Sequence, residues 1–376
     1  MARQDKSVEY ITSLQELDYQ FAYNVCTDVI EVNGTPLSDP LMAQIRRDLR
    51  DMGYTRMREA EDAYIAYAYQ HGKYHPIKRY LNSLTWEGFG AIEALAGHFT
   101  DQHGMFHIFL RRWLIGAVAK AMAGGQNFML VLDGPQDIGK SYFVRWLCPD
   151  SLSDRYFVEA PISADDKDTW IRLAGKWLWE VSELGATTRR QDREALKDFI
   201  SRREVIVRKP YGRHDSQLSA LASMIGTINE EGAGFLNDLT GSRRFAVVNL
   251  QAIDHAYTGI DIDQVWAEAF VAYQAGEQWR LTPTERETQD NINVEYQVES
   301  PVWAMFQRYY TIDPTAPDFV PAMNIITDLE EQGLRGHQTA LLMDLARHMK
   351  KAGVPRKRIR NVSMYGGIVR RYGAVS

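Results

Sequence analysis

The sequence contains little cysteine, no long apolar run and no overall excess of positive charge. Two of its 376 residues are cysteines, Cys26 and Cys148, which are too few for a disulfide-stapled scaffold. Their spacing fits no metal-ligand motif. No apolar run approaches the ~18 residues that cross a bilayer, and the first residues carry mixed charge, so we expect a cytoplasmic protein without a membrane partner. The net charge of −6 excludes a polycation that coats nucleic acid over its whole surface.

The positive charge is concentrated at one end of the chain. Between Arg335 and Ser376 there are ten Lys/Arg residues and one acidic residue, Asp344, whereas the preceding part is acidic overall. A basic end behind an acidic body indicates an anionic partner at that end. The alternative is a solvated basic face without a partner.

The apolar pattern divides the chain into three regions. Residues 8–36 have a mixed pattern with a hairpin signal at Asn33-Gly34, and helical spacing prevails from Asp39 to about residue 122. Short apolar runs then alternate with helical segments between 128 and 249, which predicts a mainly parallel β-sheet. From about 283 the pattern is helical again and ends in short β-like segments, which fits a small winged-helix module. The predicted helices span 39–71, 76–84, 104–122, 141–147, 165–173, 191–201, 301–312, 321–332 and 336–352.

The strongest motif is a glycine-rich loop between the first predicted buried strand and the helix that follows it. The segment Gly134-Pro-Gln-Asp-Ile-Gly139-Lys140-Ser141 matches the P-loop pattern G-x-x-x-x-G-K-[ST] at every fixed position. Backbone N–H groups of such a loop bind phosphate oxygens, Lys140 adds a cation near the β- and γ-phosphates, and the Ser141 hydroxyl can bind Mg²⁺. The motif therefore predicts an ATP site in which Gly134, Gly139, Lys140 and Ser141 bind the nucleotide.

An acidic pair follows about 40 residues later. The segment Lys176-Trp-Leu-Trp-Glu180-Val-Ser-Glu183 places two carboxylates at the carboxyl end of an apolar strand, where open α/β sheets bind their ligands. We assign Glu180 to the Mg²⁺ side of the site and Glu183 to the orientation of the attacking water. The two roles can be exchanged.

Two further segments carry candidate catalytic residues. Asn229 follows the next predicted strand and suits the positioning of the attacking water, with Thr227 as the second choice. Arg243 and Arg244 directly precede an apolar strand, and paired arginines can neutralise charge that develops on the γ-phosphate. Structural ion pairs are the alternative role for these arginines.

A basic segment between the acidic strand and the Asn229 strand predicts a hairpin. Its centre, Lys209-Pro-Tyr-Gly, has the composition of a turn, and Arg213 and His214 follow. Basic residues beside an aromatic ring suit a surface that follows a single strand of nucleic acid. We therefore predict that Lys209, Arg213 and His214 bind DNA. A solvated surface hairpin is the alternative.

These segments together resemble the virulence-associated protein E family of phage and mobile-element proteins, which are P-loop ATPases close to superfamily 3 helicases. The resemblance covers roughly residues 70–250. It runs through His75-Pro-Ile-Lys-Arg-Tyr-Leu-Asn-Ser-Leu-Thr-Trp-Glu-Gly, the P-loop, Trp177-Leu-Trp-Glu-Val-Ser-Glu-Leu, Leu196-Lys-Asp-Phe-Ile-Ser, Arg208-Lys-Pro-Tyr-Gly-Arg, Gly226-Thr-Ile-Asn and Phe235-Leu-Asn-Asp-Leu-Thr-Gly-Ser-Arg-Arg-Phe.

The resemblance implies a ring, usually a hexamer, with the ATP site between subunits and a DNA-contacting hairpin in the pore. Lys209 is the nearest match to the cation of that hairpin. The chain departs from the family pattern at two places. Asp137 stands where the family usually has glycine, and Trp86-Glu-Gly-Phe-Gly-Ala replaces the usual acidic-plus-arginine segment after Trp-Asp-Gly.

We therefore expect an α/β protein with an AAA+-like P-loop NTPase core. The predicted domains are a mixed, mainly helical region over 1–100, a P-loop ATPase domain over 101–282 and a helical, winged-helix-like region over 283–376. The predicted activity is ATP- and Mg²⁺-dependent movement on single-stranded or forked DNA, as a replicative helicase of a prophage or mobile element, in a bacterial host or phage-infected cell. The alternative is a P-loop ATPase switch that remodels proteins without unwinding DNA.

Overall fold

A computed structural model of the chain describes residues 6–162, 167–182, 184, 190–207, 216–229, 236, 242–296, 300–360 and 362–371. The chain forms two compact units, Met1–Tyr296 and Gln297–Ser376. In the described ranges no helix has the length and apolar character needed to cross a bilayer. The predicted boundary at 282/283 lies one helix before the boundary between the units, and the division into three domains stays a prediction.

The first unit begins with a small four-stranded sheet that packs on helices. The Asn33-Gly34 turn has φ values of 52° and 76°, as a two-residue hairpin turn requires, so the predicted hairpin is present. The helix predicted over 39–71 divides in two, because the chain turns at Gly53 with a φ of 87°. The elements are α1 (Ser7–Glu16), β1 (Phe21–Asn24), β2 (Val29–Val32), β3 (Thr35–Pro36), α2 (Asp39–Asp51), α3 (Met57–His71) and β4 (Lys73–Tyr74).

The larger part of the first unit alternates strands and helices. Two 3₁₀ turns, Ser242–Arg244 and His255–Gly259, flank its longest strand. The elements are α4 (Pro76–Ser83), α5 (Ala91–Ala96), β5 (Phe99–Asp101), α6 (Phe106–Ala123), β6 (Met129–Asp133), α7 (Lys140–Trp146), α8 (Asp150–Tyr156), β7 (Phe157–Glu159), α9 (Lys167–Gly175), β8 (Leu178–Val181), α10 (Arg190–Ser201), β9 (Glu204–Val207), β10 (Ser216–Ser219), β11 (Ser223–Thr227), β12 (Phe245–Ile253), α11 (Ile262–Gln274) and α12 (Pro283–Glu295).

A six-stranded sheet with the order β5-β12-β6-β11-β8-β7 forms the centre of this unit. Its strands are parallel except for β5, which pairs antiparallel with β12 at the edge. Every residue of β6 is buried, which explains why residues 129–132 form a continuous apolar run rather than an alternating pattern. The mixed α/β fold with parallel strands is therefore confirmed. The edge strands β5 and β7 were not predicted, because three residues are too few to show a period.

Helix α12 packs against the sheet of the first unit. Thr282 and Glu285 form a capping box at its start. The side-chain amides of Gln289 and Asn293 donate to the carbonyl oxygen of Phe245, at 2.6 and 2.9 Å. These contacts attach α12 to the first residue of β12.

The second unit has its own core, which includes Phe306, Ile325 and Leu345. Its three-stranded antiparallel sheet has the order β14-β16-β15, and β13 pairs with β17. Two helices separate β14 from the β15–β16 hairpin, which is the connectivity of a winged-helix module. The elements are α13 (Pro301–Tyr309), β13 (Tyr310–Ile312), β14 (Phe319–Pro321), α14 (Ala322–Glu331), α15 (Gln338–Lys351), β15 (Arg356–Ile359), β16 (Val362–Gly366) and β17 (Ile368–Arg370).

Candidate functional site

The glycine-rich loop lies between the carboxyl end of β6 and the first turn of α7. Gly134 and Gly139 have φ values of 140° and 100°, which L side chains rarely adopt. A Cβ atom at Gly134 would lie 2.2 Å from the carbonyl oxygen of Leu250, and one at Gly139 would lie 2.4 Å from Cε1 of His255. Both glycines of the motif are therefore required by backbone conformation and by close packing, independently of any ligand.

The Lys140 side chain folds back over this loop. Its ammonium group donates to the carbonyl oxygens of Gly134 and Pro135, at 2.7 and 2.6 Å. Asp137, at the top of the loop, has a φ of 64°. Aspartate tolerates this left-handed conformation better than most residues, so the loop keeps its path with Asp137 at this position.

A cleft of about 440 Å³ opens beside the loop. It brings together residues from the loop, from the start of α7 and from the carboxyl ends of β7, β8 and β11. Its lining consists of Gln136, Asp137, Gly139, Lys140, Ser141, Tyr142, Glu159, Ser182, Thr227 and Asn229. The predicted residues Lys140, Ser141 and Asn229 therefore face one cavity.

Glu180 lies beside this cleft at the end of β8 and is fully buried. Its Oε1 accepts a hydrogen bond from the Thr227 hydroxyl at 3.1 Å, and its Oε2 has no hydrogen-bond partner within the described ranges. Burial raises the pKa of the Glu180 carboxyl, and the charge of Glu159 acts in the same direction, while the neighbouring Ser141 and Thr227 hydroxyls oppose the shift.

This arrangement fits a magnesium ion held mainly by phosphate. No cluster of three or more His, Cys, Asp or Glu side chains in the described part of the chain could hold a metal ion by itself. An unpartnered carboxylate oxygen beside the Ser141 hydroxyl is, however, what Mg²⁺ needs when substrate phosphates and waters supply its other ligands. Ser141 and Glu180 are therefore the residues that would hold the ion.

Sequence reasoning missed Glu159 and Tyr142. Glu159 ends the short strand β7, which carries no periodic signal, and reaches the cleft only because β7 pairs with β8. Tyr142 directly follows the motif but is 58% exposed, so no apolar pattern marks it. The strand-end position of a carboxylate was the signal that could have found Glu159.

Arg243 and Arg244 do not join the cleft of their own chain. They directly precede β12, which runs parallel to β6, so they lie at the amino-terminal edge of the sheet while the loop lies at the carboxyl-terminal edge. The five residues of β6 separate the two edges by roughly 13 Å. The Arg244 Nε donates to the Ser201 hydroxyl at 2.5 Å.

A second cleft, of about 410 Å³, lies at this opposite edge. Arg243 and Arg244 line it together with Arg280 and Arg286. No ion pair within the described ranges neutralises these four side chains. The predicted phosphate-contacting arginines therefore face a separate positive cleft.

The remaining predicted residues lie outside the described residues. These are Glu183, Lys209, Arg213 and His214. The strands that flank the predicted hairpin are described, however. β9 and β10 pair antiparallel, with Val207 opposite Ser216.

No match to this chain was found among curated proteins. One apo structure of the NrS-1 C-terminal region (305–718) is similar with a TM-score of 0.51 and 11% identity, covering 98% of this chain and 100% of that one. The A form apo structure of the same region gives a TM-score of 0.50 at 11% identity, covering 97% and 100%. At this identity the likeness shows the fold alone.

The sequence profile of the virulence-associated protein E-like domain matches residues 81–298. This range contains the glycine-rich loop, Glu180, Asn229 and both arginines, and it spans more than half of the 376 residues. The chain therefore belongs to the virulence-associated protein E-like family.

Proposed function

We propose that this chain is an ATP-hydrolysing, ring-forming motor that acts on DNA, as a replicative helicase of a prophage or mobile genetic element. One observation carries the proposal. The residues of the P-loop motif lie at the carboxyl end of a central parallel strand, in one cleft with Asn229 and beside the buried Glu180. This is the place where an open α/β sheet binds its ligand.

Each residue has a proposed part in ATP hydrolysis. Backbone N–H groups of the loop hold the phosphates, and Lys140 moves its ammonium group from the carbonyls of Gly134 and Pro135 to the β- and γ-phosphates. Ser141 and Glu180 would hold a Mg²⁺ ion, and the charge of that ion would offset the negative charge of the phosphates. Glu183 orients the attacking water, and Asn229 fixes the position of that water.

The position of the arginines supports assembly into a ring. Arg243 and Arg244 lie at the sheet edge opposite the loop of their own chain, so a contact with γ-phosphate has to be made in a neighbouring subunit. A closed ring, with six subunits as the expected number, places each arginine cleft against the next ATP site. The hairpin that carries Lys209, Arg213 and His214 then faces the central pore.

The first experiment tests ATP hydrolysis. Lys140→Ala should lower the rate of Mg²⁺-dependent phosphate release by ~100-fold or more, because the group that offsets γ-phosphate charge is lost. Lys73→Ala removes an exposed lysine of β4 and serves as the control. Hydrolysis at the parent rate in the Lys140 variant would overturn the P-loop assignment.

The second experiment separates a DNA motor from a protein remodeller. A motor should hydrolyse ATP faster when single-stranded or forked DNA is added, and Lys209→Ala should lose this stimulation while it keeps the basal rate. Each lost phosphate contact should lower the log–log salt slope of single-strand binding by about 0.7. ATP hydrolysis that does not respond to DNA in the parent protein would favour the remodeller.

A further inference from the structure

Charge in the second unit is segregated along the chain. Between residue 300 and Arg335 the charged residues are acidic, except for Arg308. From Arg335 to the end of the sequence they are basic, except for Asp344. The exceptional acid is engaged within the unit, because Asp344 accepts a hydrogen bond from the Ser300 hydroxyl and lies 3.6 Å from His348 and 3.9 Å from the exposed Arg347. α15 and the β15–β16 hairpin therefore form the positive side of this unit.

Helix α15 has one buried face and one exposed face. Leu341, Leu345 and Met349 are buried in the core of the unit. On the other side, residues at a helical spacing of three or four are exposed to solvent. They are Thr339, Met343, Arg347 and Lys350. Met343 is 65% exposed although it is apolar, so this face is neither a core face nor a purely charged one.

The hairpin adds a row of basic side chains beside the helix. Arg356, Lys357, Arg358 and Arg360 are all exposed. Arg356 and Arg358 share one face of β15, and Arg356 is held there by a 2.8 Å hydrogen bond from its Nη2 to the Ser363 hydroxyl. Lys357 lies on the other face, with its ammonium group 3.5 Å from the centre of the Phe319 ring. No acid in the described ranges forms an ion pair with these four residues.

We propose that the second unit binds double-stranded DNA, with the exposed face of α15 in the major groove and the β15–β16 hairpin on the flanking phosphates. The choice of DNA rests on the proposed function, but the binding needs no nucleotide. α15 follows α14 after residues 332–337, in the order of the two helices of a helix-turn-helix.

The dimensions and side chains suit this partner. The major groove of B-DNA is about 12 Å wide and admits one α-helix. Arginine and lysine bind guanine edges there, and apolar atoms contact the thymine methyl, which gives Arg347, Lys350 and the exposed Met343 suitable partners. Arg356, Arg358 and Arg360 would each meet a phosphate, and Arg370 would not, because Asp328 already pairs with it at 2.5 Å.

The test measures binding of the full chain to a labelled 20-base-pair DNA duplex without nucleotide, at several salt concentrations. The triple variant Arg356→Ala, Arg358→Ala, Arg360→Ala should bind more weakly, with a log–log salt slope lower by up to about 2.7, or ~0.9 per phosphate contact. The triple lysine variant at the same positions should keep most of the affinity, which separates lost charge from lost folding. Met343→Ala should weaken binding without changing the slope.

A matched control removes the same charge elsewhere. Arg47, Arg50 and Arg58 are exposed on α2 and α3, and their triple alanine variant should bind duplex DNA as the parent does. Unchanged duplex binding in the hairpin variant, or an equal loss in the control, would overturn the proposal. Equal affinity for duplex RNA would also overturn it, because the narrow A-form major groove cannot admit α15. Loss of ATP hydrolysis with intact duplex binding would instead count against the proposed motor and leave this surface standing.

Discussion

The Thr227 hydroxyl donates a 3.1 Å hydrogen bond to one oxygen of the fully buried Glu180 carboxylate. The two residues lie on the neighbouring parallel strands β11 and β8, where Ile225 is the direct partner of Glu180. Thr227 is two residues further along, so it points to the same face of the sheet. One carboxylate oxygen is thus satisfied by the protein, and the other is available to a ligand.

Thr227→Val should destabilise the protein. Valine has nearly the same shape but lacks the hydroxyl. The buried Glu180 carboxyl would therefore lose the hydrogen bond that Thr227 donates to its Oε1. We expect the free energy of unfolding to fall by about 1–3 kcal/mol in urea titrations near neutral pH. Thr227→Ser keeps a donor and should lose less. Equal stability of the two variants would show that the hydrogen bond contributes nothing.

The two carboxylates should separate binding from hydrolysis. Glu183→Gln should leave Mg²⁺–ATP bound but unhydrolysed, since the proposed ligands Ser141 and Glu180 are unchanged. Glu180→Gln should weaken the dependence of ATP binding on Mg²⁺. Titration of a fluorescent ATP analogue with and without Mg²⁺, together with phosphate release, measures both effects. If the Glu183 variant no longer binds Mg²⁺–ATP, the two roles are the reverse of our assignment.

Asp137→Asn should raise the affinity for ATP. Asp137 lines the cleft with a negative charge close to where phosphates would bind, and asparagine tolerates the same left-handed φ of 64°, so only the charge changes. We expect a gain of about 3- to 10-fold, on the order of 1 kcal/mol, which shrinks at high salt. Asp51→Asn, on the exposed end of α2, is the control. A salt-independent gain, or none, would contradict the electrostatic explanation.

Arg243 and Arg244 should include a residue that acts across a subunit boundary. Loss of such an arginine lowers hydrolysis by ~10³-fold. An arginine variant and the Lys140→Ala variant, each inactive alone, should recover part of the activity when mixed, because some sites then combine two intact halves. The mixture is assayed over a range of ratios. Mixed oligomers without any recovery would indicate a structural role.

Lys120 should make stability depend on pH in the alkaline range. Its side chain is buried on α6 and donates to the Ala222 carbonyl oxygen at 2.6 Å. Burial lowers the pKa of Lys120 to about 8, below its unfolded value of ~10.4. The unfolded chain therefore binds more protons between these values, and the free energy of unfolding should rise with pH in that window, by on the order of 2 kcal/mol.

The control for this prediction is Lys120→Met, which has no group to titrate there. Its free energy of unfolding should exceed that of the parent near pH 7, and the difference should shrink as the pH approaches 10. Urea titrations of both proteins at pH 7, 8.5 and 10 test this. A constant difference over that range would show that the Lys120 pKa is not lowered.

Local sequence was enough to predict the loop and the strands beside it. Residues 129–132 of the fully buried strand β6 are all apolar, and the tight turn after the strand requires glycine at 134 and 139, so both features are visible as residue types. The helices α4, α6 and α10 were predicted within a few residues of their observed ends, because the local pattern of residue types also marks helices.

Only the tertiary structure decided which of these residues meet. The sheet order places β11 between β6 and β8, which brings Thr227 to Glu180 across 47 positions of sequence and adds Glu159 from the short strand β7. The same parallel direction puts Arg243 and Arg244 at the opposite edge from Lys140. Sequence determined the elements because helix period, burial and turn geometry are local. Strand order and direction are not local, since they depend on how distant elements cover one another's apolar faces, so the composition of each cleft followed only from the fold.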